Sequence, residues 1–275
     1  MSIGKKHIEW ARESWNPITG CRGPSLSLMN FLSPGVSPTS RAVCPGCYAE
    51  ASAKRFAGRF GYPKNDPFKP TFHADKEEIP LLRRKPTVWF LSSMGEWLAD
   101  EVKKAWLLSV ADVIKRTPWH LYISLTKQYD NLGRILEVFP EGIPRNLWIG
   151  VSVNYEYQLY GLDRLRQFKV NAHQPFLALC SFEPMMEELL QYADLSGLDW
   201  IIIGSRSAHG KYPKFIPPKE WVTTLINRAK EAQIPVFVKP NIPSSYSKLM
   251  EMPAAYHEWR KSAGVRELMT RVGGK

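Results

Sequence analysis

Six short apolar runs recur along the chain and read as buried strands: 87–93 (TVWFLSS), 120–126 (HLYISLT), 146–153 (NLWIGVSV), 175–182 (PFLALCSF), 199–204 (DWIIIG) and 235–239 (PVFVK). Between them lie segments of helical period. Val102, Trp106, Val110, Val113 and Ile114 share one face, as do Val222, Leu225, Ile226 and Ala229. This β-α-β-α order calls for a parallel sheet joined by right-handed crossovers. An open doubly wound sheet and a closed or partial (β/α) barrel both satisfy it. The strand ends favour the barrel: Ser92 and Ser93, Thr126 and Lys127, Ser152 and Asn154, Ser181 and Glu183, Gly204 and Ser205, and Lys239 are all polar or small. A barrel gathers such ends at one mouth, where folds of that kind place their chemistry. The expected fold class is α/β, a partial or closed (β/α) barrel of parallel strands.

With 275 residues, 44% of them hydrophobic and 23% charged, the chain can bury a full core, which excludes a disordered or fibrous protein. No repeat, low-complexity tract or obvious linker divides it. Residues 1–240 read as the barrel domain with a cysteine loop over 21–47, and 241–275 as a C-terminal extension with a short helix near Arg266. The Ser-, Pro- and Gly-rich stretch 23–39 reads as a long loop. Met1 to Trp10 has no apolar signal region and no stretch is long enough to span a membrane, so a soluble, cytoplasmic protein with no membrane partner is expected.

Four cysteines are too few for a disulfide scaffold, which turns attention to metal chemistry. Cys44 and Cys47 form C-x-x-C, a spacing that lets two thiolates grip one metal centre from a single turn. Cys21, separated from Cys44 by 22 residues, offers a third sulfur. Three thiolates suit zinc with a fourth ligand, His73 or Cys180 being the candidates. They also suit a [4Fe-4S] cluster with one iron left open. Strand parity separates Cys180 from the set: it alternates with Phe176, Ala178 and Phe182, while Glu183 lies with Leu177, Leu179 and Ser181. If Glu183 faces the mouth, Cys180 faces the helices as a buried core thiol.

The string IEWARESWNPITGC followed by CPGCYAE resembles the opening of an uncharacterised family of phage and bacterial proteins, radical-SAM-like and of the phage Gp37/Gp68 type. The similarity continues through WFLSSMGEWL, LYISLTK, LWIGVSV, LCSFEPM, WIIIGSRS and VFVK, from about Ile8 to Lys239. The resemblance implies a radical-SAM-type partial barrel with a [4Fe-4S] cluster on Cys21, Cys44 and Cys47. It also implies S-adenosylmethionine on the open iron, cleaved to a 5'-deoxyadenosyl radical with an electron from an external donor. Tyr48 matches the aromatic usual after the last cysteine. Gly95 and Glu96 resemble the stretch that holds the methionyl amine. The first cysteine gap is far longer than the usual three residues. Gly204-Ser-Arg-Ser207 stands where relatives carry Gly-Gly-Glu-Ser, so Arg206 offers a cation in place of a carboxylate.

Other strand-end groups complete the expected site. Ser152, Glu183 and Lys239 join Gly95 and Glu96 as candidate cofactor contacts, and Thr126, Lys127 and Arg206 are candidate substrate contacts, the cations suiting phosphate or carboxylate. Glu183 precedes Pro184, which is expected to start a helix carrying Met185, Met186, Leu189 and Leu190. Lys plus Arg exceeds Asp plus Glu by 37 to 26, with clusters at Lys54, Arg55 and Arg59 and at Arg83, Arg84 and Lys85. Together with Trp15, Trp97 and the tyrosines as stacking surfaces, the excess is compatible with a nucleic acid or nucleotide as substrate or partner. Two function classes follow: a radical-SAM-like iron-sulfur enzyme modifying or repairing nucleic acid, and a non-catalytic nucleic-acid-binding protein stabilised by zinc or a cluster on the same cysteines.

Overall fold

Seven parallel strands lie side by side in the order in which the chain meets them, β1 (Glu13–Trp15), β4 (Val88–Leu91), β5 (Leu121–Thr126), β6 (Leu147–Ser152), β7 (Ala178–Phe182), β8 (Trp200–Ile203) and β9 (Val236–Val238). A computed structural model describes residues 9–23, 44, 46–172, 174–189 and 193–272. The two strands β2 (Ile18–Thr19) and β3 (Thr71–Phe72) form a separate antiparallel ribbon. The helices are α1 (Tyr48–Arg55), α2 (Ala74–Glu77), α3 (Ile79–Leu82), α4 (Lys104–Arg116), α5 (Tyr160–Asn171), α6 (Lys219–Glu231) and α7 (Ala254–Val272). The sheet curls into a half-barrel, the partial form of the expected barrel; β1 and β9 are its two ends.

Alternation along each strand sorts the core into two layers. Leu91, Tyr122, Ile149, Val151, Cys180, Ile201, Ile203 and Val238 face outward. There they pack with Leu107, Val110 and Ile114 of α4, Leu162 and Leu165 of α5, and Val222 and Leu225 of α6. The opposite parity, Val88, Ile123, Trp148, Leu179, Trp200, Ile202 and Phe237, fills the concave side. Each large side chain buried in these layers contributes roughly 1.5 to 3 kcal/mol. Gly150 sits among the concave residues because a Cβ there would come within 2.5 Å of the Leu179 side chain.

The base of the concavity is plugged by aromatic rings. Trp200 meets Trp10, Trp148 and Phe237 edge to face at centroid distances of 6.3, 6.1 and 6.2 Å. Tyr256 and Trp259 of α7 pack onto the same cluster. The indole N–H of Trp259 donates to the Trp119 carbonyl at 3.3 Å, and that of Trp200 to the Glu251 carbonyl at 2.9 Å. Ahead of α7 the chain also runs back along β9, with Val238 N–H donating to Leu249 O at 2.8 Å and Glu251 N–H to Val236 O at 3.0 Å. The concave positions nearer the strands' C-terminal ends are small or polar, and this is where the candidate site residues fall.

The expected strands all form, within one to three residues of the predicted ends. Three expectations on the connections are corrected. β1, only three residues long, carries no apolar run and escaped the strand reading. No helix follows Pro184: the peptide Glu183–Pro184 is cis and sits in a turn, and residues 185–189 are irregular apart from a bend at Glu187. Their backbone is engaged elsewhere, Met186 N–H donating to Asn154 O at 2.9 Å and Asn154 Nδ2 to Pro184 O at 2.7 Å. Leu190 lies outside the described residues. The helix near Arg266 is long, not short, spanning 19 residues. Apart from Gly23, the loop expected at 23–39 lies outside the described residues.

Candidate functional site

Parity continues past the strand ends. Lys127 follows Leu125, Glu183 follows Ser181, Gly204 follows Ile202 and Lys239 follows Phe237, so these groups rise on the concave side at the mouth. The Lys239 ammonium is paired with the Glu183 carboxylate and lies 3.4 Å from that of Glu9. Burial opposes the charge on Lys239, but the two carboxylates outweigh it and hold its pKa above the ordinary lysine value. Burial pushes Glu183 up, and Lys239 opposes that shift. Gly204 makes room for the pair, because a Cβ there would stand 2.7 Å from Glu183 Cγ. Ser152 is buried beside Ser181, its partner in the sheet, and its carbonyl accepts from the Tyr129 hydroxyl at 2.5 Å. Lys127 is half-buried and forms no ion pair within 4 Å among the described residues. Its charge draws down the pKa values of Glu96 and Glu183 and of the Cys47 thiol.

Gly95 and Glu96 form a seam with the segment that leads into Cys21. Gly20 N–H donates to Met94 O and Glu96 N–H to Gly20 O, both at 3.0 Å. A Cβ on Gly95 would lie 2.6 Å from Gly20 N, so only glycine lets the two backbones approach this closely. The Glu96 carboxylate is buried and accepts from the Leu98 amide at 3.2 Å and the Lys127 amide at 3.1 Å. Burial pushes its pKa up, and those amides together with the Thr126 hydroxyl restrain it. Thr126 also accepts from the Gln128 amide at 2.8 Å. Glu96 thus locks two strand ends together while standing next to Cys21.

Cys21 and Cys47 pack on one small apolar cluster of Ala49, Ala53, Tyr62 and Phe68. Burial raises the Cys21 thiol well above its ordinary value, and the neighbouring Glu96, Cys44 and Cys47 raise it further. Cys47 N–H donates to Cys44 O at 3.1 Å, forming the C-x-x-C turn, and Cys47 caps the start of α1. Burial pushes the Cys47 thiol up, while the amides of Glu50 and Ala49 draw it down. Gly23 N–H donates to the Cys21 sulfur at 3.2 Å. Among the described residues, no three His, Cys, Asp or Glu side chains are grouped closely enough to hold one metal ion.

Neither candidate for a fourth zinc ligand joins these thiols. Both ring nitrogens of His73 are engaged, Nε2 with Thr19 Oγ1 at 2.7 Å and Nδ1 with Lys76 Nζ at 3.3 Å. Cys180 is fully buried in the outer layer against the helices, as parity requires.

A hairpin after β8 reaches the C-x-x-C loop. Arg206 and Phe215 exchange backbone hydrogen bonds at 2.9 and 3.0 Å, and His209 and Tyr212 both at 3.0 Å. His209 Nε2 contacts the Gly46 carbonyl at 2.6 Å, and a Cβ on Gly46 would lie 3.2 Å from the Tyr212 ring. Arg206 does not reach into the mouth as an isolated cation. Its guanidinium lies over Tyr212 and Phe215, 5.7 and 6.0 Å from the ring centroids, and Nε donates to Pro213 O at 3.3 Å. Tyr48 ties α1 to the end of β4 through a hydrogen bond to Ser93 O.

Trp15 and Trp97 are fully buried, which removes them as base-stacking surfaces. Trp97 spends its N–H on Ser124 Oγ at 2.8 Å. Among the basic clusters, Lys54 pairs with Glu50 and Arg83 with Glu13. Sequence reasoning missed His209 and Gln128. Gln128 donates to Gly23 O at 2.5 Å and steadies the Cys21 segment. Both act on backbone groups far away in the chain, and no local pattern signals that.

A family model described as "Protein of unknown function (DUF5131)" matches residues 5–255. No curated protein and no solved structure matches the chain.

Proposed function

The chain belongs to the DUF5131 family, proteins of unknown function, and from the groups at the mouth of its half-barrel we propose that it is an iron-sulfur enzyme of radical-SAM type acting on a nucleic acid or nucleotide. What supports the reading is that Cys21 and Cys47 pack on one apolar cluster, with Cys44 and Glu96 close enough to act on the Cys21 thiol. Burial and the neighbouring acidic groups keep the Cys21 and Cys47 thiols protonated unless a cation compensates them, and a metal centre is the natural compensation. The chemistry of the donors suits a [4Fe-4S] cluster, with a C-x-x-C turn already formed and an amide donating to the Cys21 sulfur; the three sulfurs, not grouped closely enough here to hold one ion, would draw together around it. The cluster would supply an open iron for S-adenosylmethionine and the electron that cleaves it.

The remaining roles belong to the chain's own residues. Glu183, with its Lys239 partner, would orient the amine and carboxylate of S-adenosylmethionine, and Ser152 would offer a hydroxyl beside them. Glu96 would set the position of Cys21 through the Gly95–Gly20 seam. Lys127, with Thr126 behind it, would meet a phosphate of the substrate, and Arg206 with its aromatic partners would border that path.

Anaerobic purification followed by metal analysis and visible absorbance tests the reading. Iron and sulfide in near-equal amounts, with 5'-deoxyadenosine released on reduction with S-adenosylmethionine, is the expected result. A colourless protein carrying stoichiometric zinc overturns it in favour of a metal-stabilised binding protein. A cluster that never cleaves S-adenosylmethionine overturns the catalytic part.

A further inference from the structure

Between the end of β9 and the segment that returns along it lies an open cleft of about 390 Å³. Its lining is one-sided in charge: Lys214, Lys239 and Lys248 contribute ammonium groups, and no Asp or Glu is among the described residues that line it. The charge on Lys239 is committed to Glu183 and Glu9. Lys214 and Lys248 are exposed and form no ion pair among the described residues, so their charge is available to a ligand. Ser244 and Ser247 add hydroxyls. Ser247 Oγ accepts from the Leu249 amide at 3.1 Å, which leaves its own proton to donate. The rest of the wall includes Ile216 and Ile242, apolar surface against which a sugar or ring can lie. A cleft of this size takes a small organic ligand, and a lining that carries two uncommitted lysines and two serine hydroxyls suits a phosphate.

We propose that this cleft is a phosphate-binding subsite that takes the phosphate of a nucleotide, free or as a phosphodiester within a strand. Lys239 links it to the mouth, since the same side chain lines the cleft and pairs with Glu183. The identity of the ligand rests on the nucleic-acid part of the function proposed above, but not on the cysteines.

Binding of adenosine 5'-monophosphate and of a single-stranded decanucleotide without terminal phosphate tests it by calorimetry or fluorescence anisotropy. The double variant Lys214→Ala, Lys248→Ala should weaken binding at least about tenfold, and should flatten the salt dependence of oligonucleotide binding by roughly one unit of slope. Loss for the decanucleotide assigns the site to a strand, and loss for the monophosphate alone assigns it to a free nucleotide. The double variant Lys64→Ala, Lys69→Ala, on another part of the surface, should leave both affinities unchanged. Unchanged binding in the first pair, equal loss in the control pair, or no binding of either probe to the wild-type chain overturns the proposal. Binding is read on the wild-type chain whatever metal it carries, so an absent cluster would count against the enzymatic reading and not against this subsite.

Discussion

His209 Nε2 lies 2.6 Å from the carbonyl oxygen of Gly46, across a separation of 163 residues, so the hairpin after β8 holds the loop between Cys44 and Cys47. The other ring nitrogen, Nδ1, faces Ser207 O at 3.0 Å. A neutral imidazole can donate to one of these carbonyls and an imidazolium to both. Replacing His209 by Ala should remove about 1 kcal/mol of restraint on the loop. Bound metal should then be lost to a chelator roughly fivefold to tenfold faster, with little change in melting temperature. Gly46→Ala should act more strongly, because Gly46 has φ +69° and the added Cβ would press on Tyr212.

Cys44→Ala should abolish metal binding, and Cys180→Ala should preserve it. Cys180 is buried among the outer-layer residues, so its truncation should cost about 1 kcal/mol of stability and nothing in metal content. Metal analysis of both variants decides the matter, and loss of metal from Cys180→Ala would contradict the parity argument.

Lys239→Met should be destabilising, by about 2 kcal/mol, since it leaves the half-buried Glu183 without its cation. Adding Glu183→Gln should recover a large part of that loss. Urea denaturation of the two single variants and the double variant measures the coupling, and strictly additive losses would show that the pair does not act as a unit.

Acid should weaken the fold through its buried histidines. Burial, followed by the Lys76 charge, lowers His73 to about 4 from an ordinary value of 6.5. The unfolded chain therefore binds the proton more tightly, so the contribution of His73 is complete above pH 6.5 and is lost as the pH falls from there towards 4. The loss at pH 5 amounts to about 2 kcal/mol. Buried His120 shifts in the same direction, with Nδ1 accepting from the Thr87 amide at 3.1 Å. Urea unfolding at pH 7 and pH 5 should reveal the slope, and His73→Gln should reduce it.

Much of this architecture can be read from the chain because it rests on local alternation. Runs such as WIII at 200–203 and LYISLT at 121–126 are buried on both faces, so they announce strands wherever they pack. The same period assigned Cys180 to the helices and Glu183 to the mouth without any contact being known. β1 stayed hidden because three residues, Glu13 to Trp15, are too few to display a period. Met185 and Leu189 are spaced as if on a helix, yet an irregular segment buries both, because burial alone does not specify the backbone that achieves it. Trp15 and Trp97 could not be told from surface aromatics by composition. The partners of Glu96, Arg206 and His209 depend on which loops meet at the rim, and no spacing within a loop encodes that.

The strand of backbone from Leu249 to Glu251 that runs beside β9 has a consequence for solubility. A parallel sheet that stops short of closure ends in unpaired amides and carbonyls, a template on which a second molecule could lay a strand. Here the chain occupies that template itself, and the aromatic side chains of α7 cover the greasy underside next to it. The final stretch therefore serves as a built-in stopper against aggregation, and removing it would expose two adhesive surfaces at once.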